Sequence, residues 1–228
     1  MNRFVTTALW PTGVGLTAWH YMWRTTPFHR REVAGSMEDD GPPGIPDGVR
    51  RDSLQLDGVG PLFHRRYRAR IRDASGSAEV LLQRVASDPN QVVPTEFARF
   101  AKVDGDEHGM AVGDEYIVRM PGPWNGPVRV VAVTPTSFRL ATLTGHLEAG
   151  QIEFRASTED AKLVFTIESW ARSGDRLSNL LYQNVPLAKE VQLHMWSSFL
   201  ENVARLAGGR LDGGLDIETH RVDDPAGR

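Results

Sequence analysis

The sequence predicts an α+β fold in which a curved antiparallel sheet wraps around one long C-terminal helix. Three observations carry that expectation. Between Pro121 and Tyr182, segments that alternate apolar and polar residues are separated by turn-rich punctuation, the period-two mark of strands with one buried face. A helical pattern follows at once from Leu180 to Ala207, interrupted by Pro186, which marks a kink or a second start. Strands followed by a closing helix make a container, with a cavity between the two.

The elements can be justified in chain order. Residues 1–34 form an aromatic N-terminal arm: between Arg3 and Arg24 there is no Asp, Glu, Lys or Arg, and Trp10, Trp19, Tyr21 and Trp23 fall inside that stretch. Pro11, Gly13, Gly15 and His20 dilute it as a membrane span, so the arm is expected to pack on protein, either its own domain or a second subunit. Peripheral membrane contact is the alternative. Residues 35–60, with MEDDGPPGIPDG and DGVG, read as a Pro/Gly/Asp-rich linker. The main domain spans 61–210, and 211–228 is a polar C-terminal tail.

Within the domain, HRRYRARIR alternates strictly. His64, Arg66, Arg68, Arg70 and Arg72 share one face, read either as an outer face with cross-strand carboxylate partners or as an anion-binding stripe. Ser77 caps a short amphipathic helix, and PTEFARF, with Pro94 in its first turn and Glu96 near the positive end of the helix dipole, predicts a second. Strands are expected at Glu115–Met120, Val128–Thr134, Ser137–Thr144, Gln151–Ser157 and Leu163–Ala171.

Strand parity then sorts the two faces. An unpaired charge in an apolar interior is costly, so Arg66, Arg68, Arg119, Arg139 and Arg155 are placed outward. That turns inward Tyr67, Ala69 and Ile71, then Tyr116, Val118 and Met120, then Phe138, Leu140 and Thr142. Ile152, Phe154 and Ala156 follow, and Phe165, Ile167 and Ser169 on the last strand. Glu168 points outward, toward the arginine row. On the closing helix, Leu187, Val191, Met195, Ser198, Asn202 and Leu206 form one stripe with His194 at its edge. Polar groups on such a stripe need partners, from protein, water or ligand. With Tyr67, Tyr116, Thr142 and Ser169 they compose a mostly apolar pocket with a few hydroxyls and one imidazole, the make-up of a small-molecule site.

Composition excludes several classes. The chain has 228 residues, 40% hydrophobic and 24% charged, enough for one large domain with a real core. A net charge of −3 provides no field to recruit nucleic acid. No cysteine is present, which removes disulfides, zinc-thiolate sites and thiol nucleophiles and suits a reducing cytoplasm, the expected location unless the arm sits on a membrane.

GVGPLFHRRYRARI, VGDEYIVRMPGPWNGPVRV, FRLATLTGHLEAGQIEF, IESWARSGDRLSNLLY and LAKEVQLHMWSSFLENVARLAGGR together resemble the actinobacterial branch of the uncharacterised domain-of-unknown-function family numbered nineteen-ninety. The match runs from Gly58 to Arg210. The resemblance implies the START-like helix-grip (SRPBCC) fold, whose members hold lipids, hormones or polyketides between sheet and helix. It implies no settled activity.

The chemical candidates are few. His146 and Glu148 in TGHLEAGQ act either as general base and orienter at a cavity mouth or as a hairpin bonding its own loop. No nucleophile elbow, P-loop lysine, dinucleotide fingerprint or HExxH spacing occurs, so neither cofactor nor metal is expected. Trp124 in PGPWNGP either lids the cavity or packs outside it. The expected function is binding of a small apolar or amphipathic molecule. The alternatives are a cyclase, dehydratase or hydrolase using His194 or His146 with Tyr116 or Glu148, and a non-catalytic interaction protein that docks a partner or a second copy through its arm.

Overall fold

The computed structural model describes residues 26–106, 109–120, 125–174 and 186–223, with side chains from residue 192 onward in the last stretch. The arm up to residue 25 and Trp124 therefore lie outside the described residues, as do the side chains of Leu187 and Val191.

In chain order the elements are β1 (Phe28–Ala34), α1 (Met37–Asp40), β2 (Val59–Arg72), α2 (Ala78–Ser87), β3 (Arg99–Asp104), β4 (Glu115–Arg119), β5 (Asn125–Val133), β6 (Ser137–Thr142), β7 (Glu148–Glu159), β8 (Lys162–Ser173), α3 (Pro186–Leu206) and β9 (Arg210–Val222). The strands form one nine-stranded sheet in the order β1-β9-β2-β8-β7-β6-β5-β4-β3. Only β1 with β9 is parallel. Helix α2 lies against β7, and α3 lies against β2, β8 and β9. Both contribute to one apolar core on the inner face, the helix-grip arrangement expected from the sequence.

The inward parity holds along the strands. Tyr67, Ala69, Ile71, Tyr116, Phe138, Leu140, Phe154, Ala156, Phe165 and Ile167 are all buried in that core. Phe138 and Phe154, direct partners across β6 and β7, stack at 4.8 Å between ring centroids. Helix α2 begins as its sequence requires: Ser77 accepts from the Val80 N–H, and Leu81, Leu82 and Val85 point into the core.

Four expectations change. PTEFARF is not a helix: the chain makes a 3₁₀ turn at Pro89–Gln91 and a single turn at Pro94, then enters β3. The Asn90 side chain explains the early stop, because its Oδ1 accepts from the Phe100 N–H at 2.8 Å and its Nδ2 donates to Phe100 O at 3.0 Å, pinning the edge strand. The closing helix is rotated from the expected stripe. Leu193, Trp196, Phe199, Leu200, Val203, Ala204 and Ala207 are buried, while Met195, Ser198, Asn202 and Leu206 flank them. The aromatic and leucine side chains bury more apolar area than the polar-flecked stripe, and that decides which way the helix turns.

The polar tail is instead strand β9, inserted between β1 and β2, and the end of the arm is β1. Its acids supply partners for the basic row on β2: Arg66 meets Glu218 at 3.4 Å and Arg70 meets Asp216 at 3.4 Å, while Lys162 of β8 meets Asp212 at 2.6 Å. Pairing opposite charges across neighbouring strands is what stabilises this otherwise polar strand.

The stretch read as a linker is a strap across the sheet's outer face. Backbone carbonyls of a Pro/Gly-rich segment are free acceptors, and outward polar side chains supply the donors. Gln151 Nε2 donates to Pro43 O, Arg139 Nη2 to Gly44 O, and Arg129 Nη1 to both Arg50 O and Asp52 O. Further on, Thr142 Oγ1 donates to Gln55 O at 2.7 Å. Gly35 lets the strap dock, since a Cβ there would fall 2.4 Å from Asp40 Oδ2.

Candidate functional site

The inner face has an apolar end and a polar end. Register places Tyr67, Ile167, Phe154 and Phe138 in one row across β2, β8, β7 and β6. The next row is Arg65, Ser169, Ile152 and Leu140. Helix α3 crosses both. Trp196 packs edge-on against Phe154 at 5.7 Å, and one turn earlier Gln192 Nε2 reaches Glu148 Oε1 at 3.5 Å. The N-terminal half of α3 thus passes over the polar row.

Two groups in this zone are buried with no hydrogen-bond partner: the Ser169 hydroxyl and the Trp196 indole N–H. Tyr67 stands beside them, and burial, which Glu148 reinforces and Arg65 opposes, pushes its phenol up to about 12. It remains a protonated donor at neutral pH. Tyr67, Phe138, Leu140, Phe154, Phe165, Ile167 and Ser169 are therefore brought onto one surface, with Met195 packed against its core.

Other expected site residues are committed elsewhere. Tyr116 and Val118 lie on β4, two strands beyond β6, and the Tyr116 hydroxyl faces Gly109 O at 3.5 Å. Met120 lies beyond the end of β4 and is half-buried. Thr142 Oγ1 accepts from the Gly150 N–H while donating to Gln55 O. Asn202 Nδ2 donates to Val92 O at 2.8 Å, tying α3 to the 3₁₀ turn. Ser198 is half-buried on the flank of α3.

His194 is buried and meets Phe97 edge-on at 5.1 Å. His146 Nδ1 accepts from the Glu148 N–H at 2.9 Å. Burial pushes the His146 imidazole down, so it stays neutral with that nitrogen occupied. This is the hairpin bonding its own loop; the Glu148 carboxylate does not orient the ring.

Sequence reasoning missed Arg65 and Trp196. The signal for Arg65 was present, because it shares parity with Tyr67 and so faces inward, whereas the arginines of the opposite parity face out. Trp196 was hidden by the choice of helix stripe.

A second cluster lies under the strap on the outer face. His64 Nδ1 bonds Asp40 Oδ1 at 2.8 Å, and His64 Nε2 bonds Glu168 Oε1 at 2.8 Å. His220 Nδ1 meets the same Asp40 oxygen at 2.7 Å, and Arg66 Nη2 donates to Glu168 at 2.8 Å. The His64 ring stacks on Trp170 at 5.2 Å. Burial works against each charge here, yet the partners win: the two carboxylates raise His64, His64 and the Ser36 N–H lower Asp40, and His64 with Arg66 holds Glu168 down to about 2. Asp40, His64 and His220 have the chemistry of a metal triad. Their 2.7–2.8 Å separations are hydrogen-bond lengths, however. A tetrahedral ion with bonds of ~2.0 Å would hold its ligands ~3.3 Å apart. The cluster is a charged clamp that fastens the strap to the sheet. A surface groove of ≈ 330 Å³ lined by Arg51, Leu54, Gln55, Leu56, Asp57 and Thr144 also belongs to the strap side.

The family described as "Domain of unknown function (DUF1990)" matches residues 62–202. The chain belongs to the DUF1990 family. Most of β2, strands β3 to β8 and most of α3 fall inside the DUF1990 match, whereas β1, the strap and β9 fall outside it. Among solved structures, the chain is similar to the ginseng major latex-like protein 151 from Panax ginseng at 13% identity, covering 64% of this chain and 97% of that one with a TM-score of 0.46. It is also similar to the di-domain ARO/CYC StfQ from the steffimycin biosynthetic pathway at 11% identity, covering 64% of this chain and 51% of that one with a TM-score of 0.48. Norcoclaurine synthase from Thalictrum flavum is similar at 13% identity, with coverage of 71% and 94% and a TM-score of 0.42. These likenesses concern the fold. No curated protein sequence matches the chain. Among the described residues no helix is long and apolar enough to cross a membrane.

Proposed function

We propose that this DUF1990 protein binds a small amphipathic molecule between the inner face of its sheet and the N-terminal half of α3. One observation carries the reading: the Ser169 hydroxyl and the Trp196 N–H are buried without a partner on the inner face, where its polar row borders the apolar core. A buried polar group left unpaired costs roughly 1–3 kcal/mol, and native proteins pair the great majority of them. A molecule whose apolar body lies along Ile152, Leu140 and Met195 and whose polar end reaches Ser169 and Trp196 satisfies both groups.

Native mass spectrometry of the protein purified from its own host tests the reading. The expected result is a species heavier than the polypeptide by the mass of one small organic molecule, which is released when the protein unfolds. A bare polypeptide mass, together with no uptake of the neutral fluorophore N-phenyl-1-naphthylamine by that material, contradicts it.

A further inference from the structure

Arg65 is the feature that the fold does not use. It is only 7% exposed, and unbroken pairing of Phe63 to Ala69 with β8 places it on the same face as Tyr67 and Ala69. Its guanidinium lies 4.6 Å from the centroid of the Phe63 ring. Among the described residues no carboxylate or carbonyl accepts a hydrogen bond from it. The outward arginines of β2 differ: Arg66 pairs with Glu168 and Glu218, Arg68 with Glu159, and Arg70 with Asp216. Arg139, another buried arginine, lies under the strap, donates to Gly44 O and has Glu153 as its direct cross-strand neighbour.

The surroundings of Arg65 do not neutralise it. Its direct cross-strand partners are Ser169 on β8 and Thr219 on β9. Glu32 faces the same side two strands away, about 10 Å off at the usual strand spacing, and Glu148 lies farther still, four residues along β7 from Ile152, the residue level with Arg65. Glu148 has its own contact with Gln192. A guanidinium keeps its charge at any physiological pH and offers five donors in a planar fork suited to a carboxylate or sulfonate. Burying one without an anion is unfavourable, so a position that keeps it must gain something from it. The hydroxyl directly opposite, at Ser169, is likewise without a partner, and the unpartnered Trp196 N–H belongs to a ring packed on Phe154 on the same face.

We infer that Arg65 and Ser169 form the head-group site of this pocket and select an amphipathic organic anion, a carboxylate or its like, over a neutral molecule of the same shape. The inference rests on the binding reading above and deepens it. Arg65 and the Ser169 hydroxyl take the anionic end, while the apolar body runs past Tyr67 and Ile152 toward Phe154.

Two fluorophores with one ring skeleton separate the inference from the reading beneath it. 8-Anilinonaphthalene-1-sulfonate carries an anion, and N-phenyl-1-naphthylamine does not. The full-length protein is expected to bind both, and Arg65→Met to weaken the sulfonate about 10-fold or more while changing the neutral probe less than about 3-fold. Arg65→Lys is expected to fall between. Because the arginine serves a ligand and not the fold, probe-free Arg65→Met should be at least as stable to urea as the parent. On the unaltered protein, dodecanoate should displace the sulfonate at a lower concentration than dodecan-1-ol. If Arg65→Met leaves sulfonate binding unchanged, weakens both probes equally, or loses stability or fails to fold, the head-group role is overturned and the pocket stands. Dodecan-1-ol displacing as well as dodecanoate also overturns it. Failure of both probes to bind the unaltered protein overturns the pocket together with the inference.

Discussion

Replacing Glu168 by Gln removes one charge from the clamp beneath the strap and keeps the side-chain shape. Glu168 sits with its side chain 9% exposed and accepts from His64 Nε2 and Arg66 Nη2, both at 2.8 Å. Its carboxyl is held at about 2 against an ordinary 4.5. At ~1.4 kcal/mol per pH unit of difference, that amounts to roughly 3 kcal/mol of stability. The sign follows from the depressed value. The contribution is fully present above the unfolded value near 4.5 and is lost as pH falls through 2, because the unfolded chain takes up the proton first. Urea unfolding followed by tryptophan fluorescence should find the variant less stable by roughly 3 kcal/mol at pH 7, with the gap shrinking to roughly 1.5 kcal/mol at pH 3. His64 works in the other direction. Its raised value means a contribution present below about 6.5 and lost as pH climbs through the folded value, so the parent should weaken on the alkaline side too. A gap that stays constant between pH 7 and pH 3, or one below about 1 kcal/mol at pH 7, would refute the clamp.

Two other substitutions test the architecture around the site. Arg129 is 1% exposed and bonds Glu115, Arg50 O and Asp52 O, so Arg129→Ala should cost roughly 2–4 kcal/mol in urea unfolding by leaving two strap carbonyls without a donor and Glu115 with Arg50 alone; a loss under about 1 kcal/mol would mean the strap does not depend on it. Gly150 has φ +156°, and a Cβ there would fall 1.9 Å from Trp170 O, so Gly150→Ala should lower the melting temperature by about 5 °C or more, and an unchanged melting temperature would show that the β7–β8 approach is looser than described.

The parts of this molecule legible in its sequence are those in which period and burial agree. On β6, β7 and β8 the inward residues are large and apolar, and the alternation alone identified Phe138, Phe154, Phe165 and Ile167 as core. β9 was illegible for a definite reason. Its outward positions carry Asp216, Glu218 and His220, and its burial depends on a basic row more than a hundred residues earlier in the chain. The strap failed as a sequence signal because Pro and Gly usually mark a linker. Here their carbonyls are fixed by Gln151, Arg139 and Arg129, each of which looks like an ordinary outward polar residue in its own strand. The site was half legible. Ser169 and Tyr67 followed from parity, but the rule that turned arginines outward hid Arg65, where a charge on the inner side is the informative exception.

The central claim is that a molecule lies on the inner face, and two tryptophans on opposite faces of one sheet report on it directly. Trp196 sits on the inner side against Phe154, and Trp170 sits on the outer side against His64. Indole N–H signals of ¹⁵N-labelled protein, assigned with Trp196→Phe and Trp170→Phe, are followed while N-phenyl-1-naphthylamine is added. The account expects the Trp196 signal to move in a saturable way and the Trp170 signal to stay. Saturable binding that moves Trp170 and leaves Trp196 in place would put the ligand on the strap side and contradict it.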